Sequence, residues 1–430
     1  VTTVRTAAEL ADALNAGAQD IAIDGTITGS PSITLPEGTT LHGGTLEFGG
    51  KGVRLTRNNT LADLTVTVPP TEEAIYNATD IADAGTFVLS NVTTTGQVSI
   101  QATDLLMTVR VEAENVWVKD ADVRGRATQP HGFGVDVLQG GFTLWNRQRS
   151  AESSFTATLR KIRVGTPETP VRGSGVFVAG FGDREGNAAG GLFTADLMST
   201  GDVETDGGIQ PGTPDKISAG VFVVSGAKVE RVVNEGTTLT HGQNDMVLDN
   251  WGEVDTWEAR ADVTSTGPSG IGFVNFGTIR LLDVQAPIVT TGKGARGFNQ
   301  YDGTLETGRF TDIRTTGDGS IGIQVSKPVG TLQVAGSVTT TGGTGMSLVR
   351  GVQVQLSAIA LSIKDGGHVN SITVGGKLRT EGAGVPALEV TQGGAVDQLT
   401  VGSIEVGGAN TKALAIAGHA DVTGIPVQNN

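Results

Sequence analysis

The chain contains no cysteine, few aromatic side chains, a shortage of positive charge and no long apolar run. Without Cys in its 430 residues, it can form no disulfide, thiol nucleophile or four-cysteine zinc site. No stretch of about 18 apolar residues occurs, which argues against a membrane-spanning helix. Thirty Lys and Arg against 45 Asp and Glu give a formal net charge of −15, so wholesale binding to nucleic acid is excluded. Only 14 residues are Pro and glycine follows no Gly-X-Y period, which rules out a collagen helix. Disorder is excluded too, because Val, Ile, Leu and Thr are plentiful and evenly spread. The chain opens at Val1 rather than Met, which suggests a trimmed mature form, although no signal peptide is visible.

What is abundant is glycine, with 64 residues, about twice the usual share. It is also periodic. Gly242, Gly267, Gly292, Gly317, Gly342 and Gly367 fall 25 residues apart, and two further series keep the same interval. These are Leu248, Phe273, Phe298, Ile323 and Leu348, and Val263, Ile288, Ile313, Val338 and Ile363. Between the glycines lie short β-branched runs such as Ile321-Gly322-Ile323-Gln324-Val325, separated by Gly, Asn and Asp turns. A helix-free unit of this length, with three short strands, predicts one rung of a parallel β-helix. Rungs would stack about 4.8 Å apart, so that equivalent residues form ladders. A chain of this length ordinarily suggests two or three domains, but stacked rungs share one thin core. The expectation is therefore an all-β, single-domain parallel β-helix over residues 1–430.

At the N-terminus, Thr6-Ala7-Ala8-Glu9 is a capping box, Leu10 and Leu14 share a helix face, and Gly17 follows as a stop. A short helix within residues 1–20 would plug the first rung and cover its open edge. Then come Ile21-Ala22-Ile23-Asp24-Gly25-Thr26-Ile27, the run from Ile33 to Leu41, and the run from Asn59 to Val66. This opening resembles the first rungs of pectate-lyase-like right-handed β-helix proteins, and the resemblance implies right-handed coiling throughout. It stops at the superfamily. The Trp-Ile-Asp-His and Arg-x-Pro-x-x-Arg blocks of pectate lyases are absent. Arg160-Lys161-Ile162-Arg163, His131-Gly132 and His241-Gly242 lack the Asn-Thr-Asp and Asp-Asp blocks of polygalacturonases. No catalytic residue carries over from either family.

Two stretches, 126–153 and 180–218, break the period ahead of regular rungs over 219–425. Function is expected there, since rungs build the scaffold and insertions carry sites. Their loops are expected to flank a groove floored by Asp249, Asn250 and Trp251. By strand alternation Leu248, Phe273 and Phe298 point inward, while Asp249, Val274, Asn299 and Gln324 point outward. Asn250, Asn275 and Gln300 read as an internal amide ladder. Trp251, Phe276 and Tyr301 read either as a sugar platform or as an ordinary stacking ladder, and the concentration of Trp nearby favours the platform.

Glycosidic cleavage needs two carboxylates roughly 5–10 Å apart. Asp183 with Asp249 is the expected catalytic pair, with Glu185 and Asp136 as further candidates. His131, Trp145, Asn146, Arg147, Arg149, Trp251, Glu253 and Tyr301 are the expected substrate contacts. From Arg124 to Arg172 eight Lys and Arg face three acids, a segment of +5 suited to clamping carboxylates. No metal spacing and no cofactor motif is present. The leading expectation is a secreted enzyme that cleaves or transfers glycosidic bonds of an extended polysaccharide. Inulin fructotransferases use a similar scaffold, so transfer on a fructan is one variant. A lyase acting on a uronate-containing glycan, with His131 or Lys161 as base, is the alternative. A non-catalytic adhesin is another. Side-by-side association of β-helices makes a homotrimer a further expectation.

Overall fold

A computed structural model describes residues 1–430. Its strands form a 23-stranded sheet, a 16-stranded sheet and one two-stranded hairpin, with a single short helix near the N-terminus. Rung stacks upon rung through parallel pairing, which is a parallel β-helix. The chain divides into two compact units.

The first unit comprises Val1–Gly132, Val137–Thr205 and Phe222–Glu230. Its helix, Ala7–Asn15, starts as the capping box requires, with the Glu9 N–H donating to Thr6 Oγ1 at 3.1 Å. Leu10 and Ala13 are its buried residues; Leu14 lies at the margin of the core. One inward column of this unit runs Ile21, Leu41, Leu61, Leu89, Ala113, Leu159 and Met198, each paired with the next. The first two intervals are 20 residues, so the expected 25-residue rung does not hold here. The stretch from Ala113 to Leu159 is far longer, because loops on either side of Gly140–Asn146 leave the coil, while that segment itself stays a stacked strand of the sheet rather than part of an insertion.

The second unit comprises Phe133–Asp136, Asp206–Val221 and Arg231–Asn430. Here the period is realised as ladders. Thr238, Val263, Ile288, Ile313 and Val338 pair in register, as do Leu248, Phe273, Phe298 and Ile323. Each such Leu or Phe contributes about 1.5–3 kcal/mol by leaving water. Phe298 packs on Phe273 and Phe310 at ring-centroid distances of 6.2 and 5.0 Å. Beside them a buried hydroxyl column closes the turns: Thr240, Thr315 and Thr380 donate to the carbonyls of Asp245, Ser320 and Val385. The glycine column has a steric cause, since a Cβ on Gly292 would collide with the carbonyl of Gly267.

The last repeat of each series is misplaced by the sequence reading. Ile323 pairs with Leu361 rather than Leu348, and Val338 pairs with Leu378 rather than Ile363. Gly382, not Gly367, lies over Gly342. The cause is an antiparallel hairpin, Thr344–Val349 and Val352–Ser357, inserted into a rung. Leu348 keeps the 25-residue spacing by coincidence and lies on that hairpin. The stretch 219–425 is therefore not uniformly regular.

Candidate functional site

Two cavities hold most of the expected site residues, one in each unit. In the first unit an open cleft of about 800 Å³ is lined by His131, Trp145, Arg147, Arg149, Asp183 and Glu185, joined by Phe181 and Arg184. The two irregular stretches supply these residues, as the broken period implies. Trp145 is a wall rather than a platform. It is 6 % exposed, its indole N–H donates to the Gly180 carbonyl at 3.2 Å, and the Arg147 guanidinium lies 5.0 Å above its ring. Arg149 lies likewise 5.2 Å over Phe181. Burial lowers the Arg147 pKa, opposed by the charge of Asp104. Arg147 Nη1 donates to Gln101 Oε1 at 3.0 Å. No carboxylate forms an ion pair with Arg147, Arg149 or Arg184, so three cations line the cleft beside Asp183 and Glu185 without direct partners.

Asp183 holds its own loop. Its Oδ1 accepts the N–H groups of Glu185 and Asn187 at 3.0 and 2.8 Å, and its Oδ2 accepts Asn187 Nδ2 at 3.2 Å. Slight desolvation raises its pKa, but those donors and the Gly186 N–H outweigh it and keep the carboxyl below the usual range. It is ionised and already occupied. Asn146 is fully buried and structural: its amide nitrogen donates to Ser153 Oγ and the Leu192 carbonyl at 3.0 and 2.9 Å.

In the second unit a small, partly enclosed cavity of about 40 Å³ is lined by Asp249, Trp251, Arg296, Asn299, Tyr301 and the hairpin residues 348–351, among others. Asp249 and Asn299 do point away from the coil interior, yet both are fully buried because the hairpin covers them. Neither Asp249 oxygen has a full hydrogen bond, and burial pushes its pKa well above the carboxylate range, opposed only by the Trp251 indole. Asp183 and Asp249 therefore line separate cavities, and their pKa values are shifted in opposite directions. Trp251, 4 % exposed, is roofed by Phe133, whose ring centroid lies 5.0 Å from it and 4.5 Å from Phe276. Arg350 lies 4.8 Å over Tyr301 and donates to Asp302 Oδ2 at 2.9 Å. The Trp251–Phe276–Tyr301 series is a covered stack, not an open sugar platform. Its neighbour is the expected amide ladder, Asn250 donating to Asn275 Oδ1 at 2.9 Å and Asn275 to Gln300 Oε1 at 3.0 Å.

Asp136 and Glu253 line neither cavity. Asp136 is half-buried, with its backbone N–H donating to the Asp215 carbonyl at 2.8 Å, and Glu253 is exposed at a strand start. The sequence reading missed Phe181, Phe133 and Arg296. Arg296 had a signal: it interrupts the column Ile271, Arg296, Ile321 with a charge. No group of three or more His, Asp or Glu is arranged to hold a metal ion, and no helix is long and apolar enough to cross a membrane. No protein-family model, curated protein or solved structure matches the chain.

Proposed function

We propose that the protein binds an extended acidic glycan in the cleft of the first unit. The observation that carries this reading is the set of three guanidiniums there without an ion-pair partner, two of them over aromatic rings. A guanidinium backed by a ring is held in one plane and offers its remaining N–H groups to a carboxylate or sulfate. The open shape admits a chain rather than a single sugar. The resemblance of the opening rungs to pectate-lyase-like proteins, and the extracellular setting it brings, agree with such a ligand.

Cleavage by β-elimination is the second reading, favoured by His131 and Glu185 in the same cleft as the cations. Elimination needs a cation on the uronate carboxylate and a base for the neighbouring proton. Hydrolysis or transfer needs one protonated and one ionised carboxyl about the same bond. With Asp183 engaged by its loop and Asp249 in another cavity, that reading retains Glu185 alone.

The test is a panel of neutral and acidic polysaccharides offered to the intact protein, read by affinity electrophoresis and by product analysis. Retardation by uronate-rich or sulfated chains is expected, and the double variant Arg147→Ala/Arg149→Ala should lose it by about 10- to 100-fold. Equal retardation by neutral glycans would overturn the proposal. New ultraviolet absorbance from a conjugated uronate supports elimination. Reducing ends without it support hydrolysis, and binding without product supports an adhesin.

A further inference from the structure

We infer that the small cavity of the second unit is a binding site for a small monovalent anion, held between Arg296 and Asn299. Arg296 is 1 % exposed. Its Nη1 donates to Gln324 Oε1 at 3.1 Å and its Nη2 to the Leu348 carbonyl at 2.6 Å, while its Nε–H has no acceptor. No carboxylate forms an ion pair with it. Asn299 is fully buried, and neither atom of its amide has a partner. The two residues are adjacent: Asn299 pairs with Gln324 across one strand spacing, and Gln324 is the side chain Arg296 grips.

Charge decides the sign of the ligand. A buried guanidinium without a counter-ion is costly, and burial lowers the Arg296 pKa only to about 10, so it stays charged near neutrality. Asp249 is the other ionisable acid on the wall, but it lies two strand pairings from Asn299, about 9–10 Å. Burial favours its neutral form. Arg350, the other cation of the lining, is neutralised by Asp302, so Arg296 is the guanidinium left without a counter-ion, and the cavity presents the Arg296 Nε–H and the Asn299 amide as donors. Size sets the upper limit. A cavity of about 40 Å³ exceeds the roughly 10–15 Å³ that one water needs. It matches formate or a halide and is too small for a sugar. Phe133, Trp251, Phe276 and Leu348 form the apolar wall that strengthens such a pairing.

The test is thermal unfolding of the intact protein at fixed ionic strength in a buffer whose only anion is a bulky sulfonate. Formate, acetate, chloride and sulfate are then titrated separately. A rise that becomes linear in the logarithm of concentration, about 2 °C per tenfold in anion, is expected for formate or chloride, with sulfate giving none. The formate and chloride arms tell a carboxylate site from a halide site. Asn299→Asp places a carboxylate beside Arg296 and should abolish the response. Arg296→Ile, which restores the residue found in that column on both neighbouring rungs, should do the same. The inference is overturned by the absence of any such shift, by an equal response to sulfate, or by an unchanged response in either folded variant. None of these outcomes bears on glycan binding in the cleft.

Discussion

Asp183 and Asp249 look interchangeable in the sequence, yet the two units make them opposites. Asp183 sits on an open loop and receives two backbone N–H groups and an amide. Asp249 sits under a hairpin and receives no full hydrogen bond. One carboxyl has its pKa lowered and the other raised by the donors and solvent each can reach. The arginines follow the same division. Arg147 and Arg149 lie over aromatic rings at the edge of an open cleft, whereas Arg296 is buried beside a small cavity. The cleft therefore has cations to offer a large ligand, and the cavity has room only for a small one. Burial, more than residue type, assigns the chemistry.

The largest effect is expected from disrupting the scaffold of one unit. Gly292→Ala would drive a Cβ into the Gly267 carbonyl, backbone against backbone with nothing flexible to yield. A loss of at least about 3 kcal/mol in the unfolding of the second unit is expected by denaturant titration. Glycan retardation by the cleft should survive wherever the first unit stays folded. A smaller effect is expected from excising Gly345–Ser357 together with Thr344→Gly. This removes the hairpin and restores the 25-residue interval between Ile323 and Leu361. The rung should close like its neighbours, and Trp251 should become accessible to a collisional quencher. Glycan binding should change less than twofold. Loss of folding on excision would show that the hairpin is part of the core rather than a cover.

How much of this was legible in the sequence depends on whether a residue belongs to a ladder. Leu248, Phe273 and Phe298 repeat because each must pack on the next, so their positions could be read from spacing alone. The Asn250–Asn275–Gln300 amide ladder followed from the same logic. The hairpin was not legible, because Leu348, Ile363 and Gly367 happen to continue the period across it. With the hairpin unseen, Asp249 and Trp251 read as an open groove floor. The cleft was partly legible: broken periodicity located His131, Arg147, Arg149, Asp183 and Glu185. What spacing could not show is where side-chain donors point, and this removes Asp183 from the role of catalytic acid. Nor does spacing show that a tip such as Phe133 folds over Trp251.

The smallest expected effects are those of pH, and they test the contrast between the two acids directly. The folded pKa of Asp249 lies above its ordinary value near 3.8. Its stabilising contribution is therefore complete below that value and is lost as pH rises through the folded pKa. Asp249→Asn, the neutral isostere, should match the parent in acid and exceed it increasingly toward alkaline pH, as measured by unfolding midpoints across a pH series. For Asp183 the folded pKa lies below the ordinary value. Its contribution is present above that value and is lost as pH falls through the folded pKa. Asp183→Asn should therefore flatten only the acid limb, and only slightly, because solvent screens an exposed carboxylate. If Asp249→Asn tracks the parent at every pH, the carboxyl has a partner that keeps it ionised. The division between a neutral buried acid and an ionised loop acid would then fail, and the positive charge assigned to the cavity would fail with it.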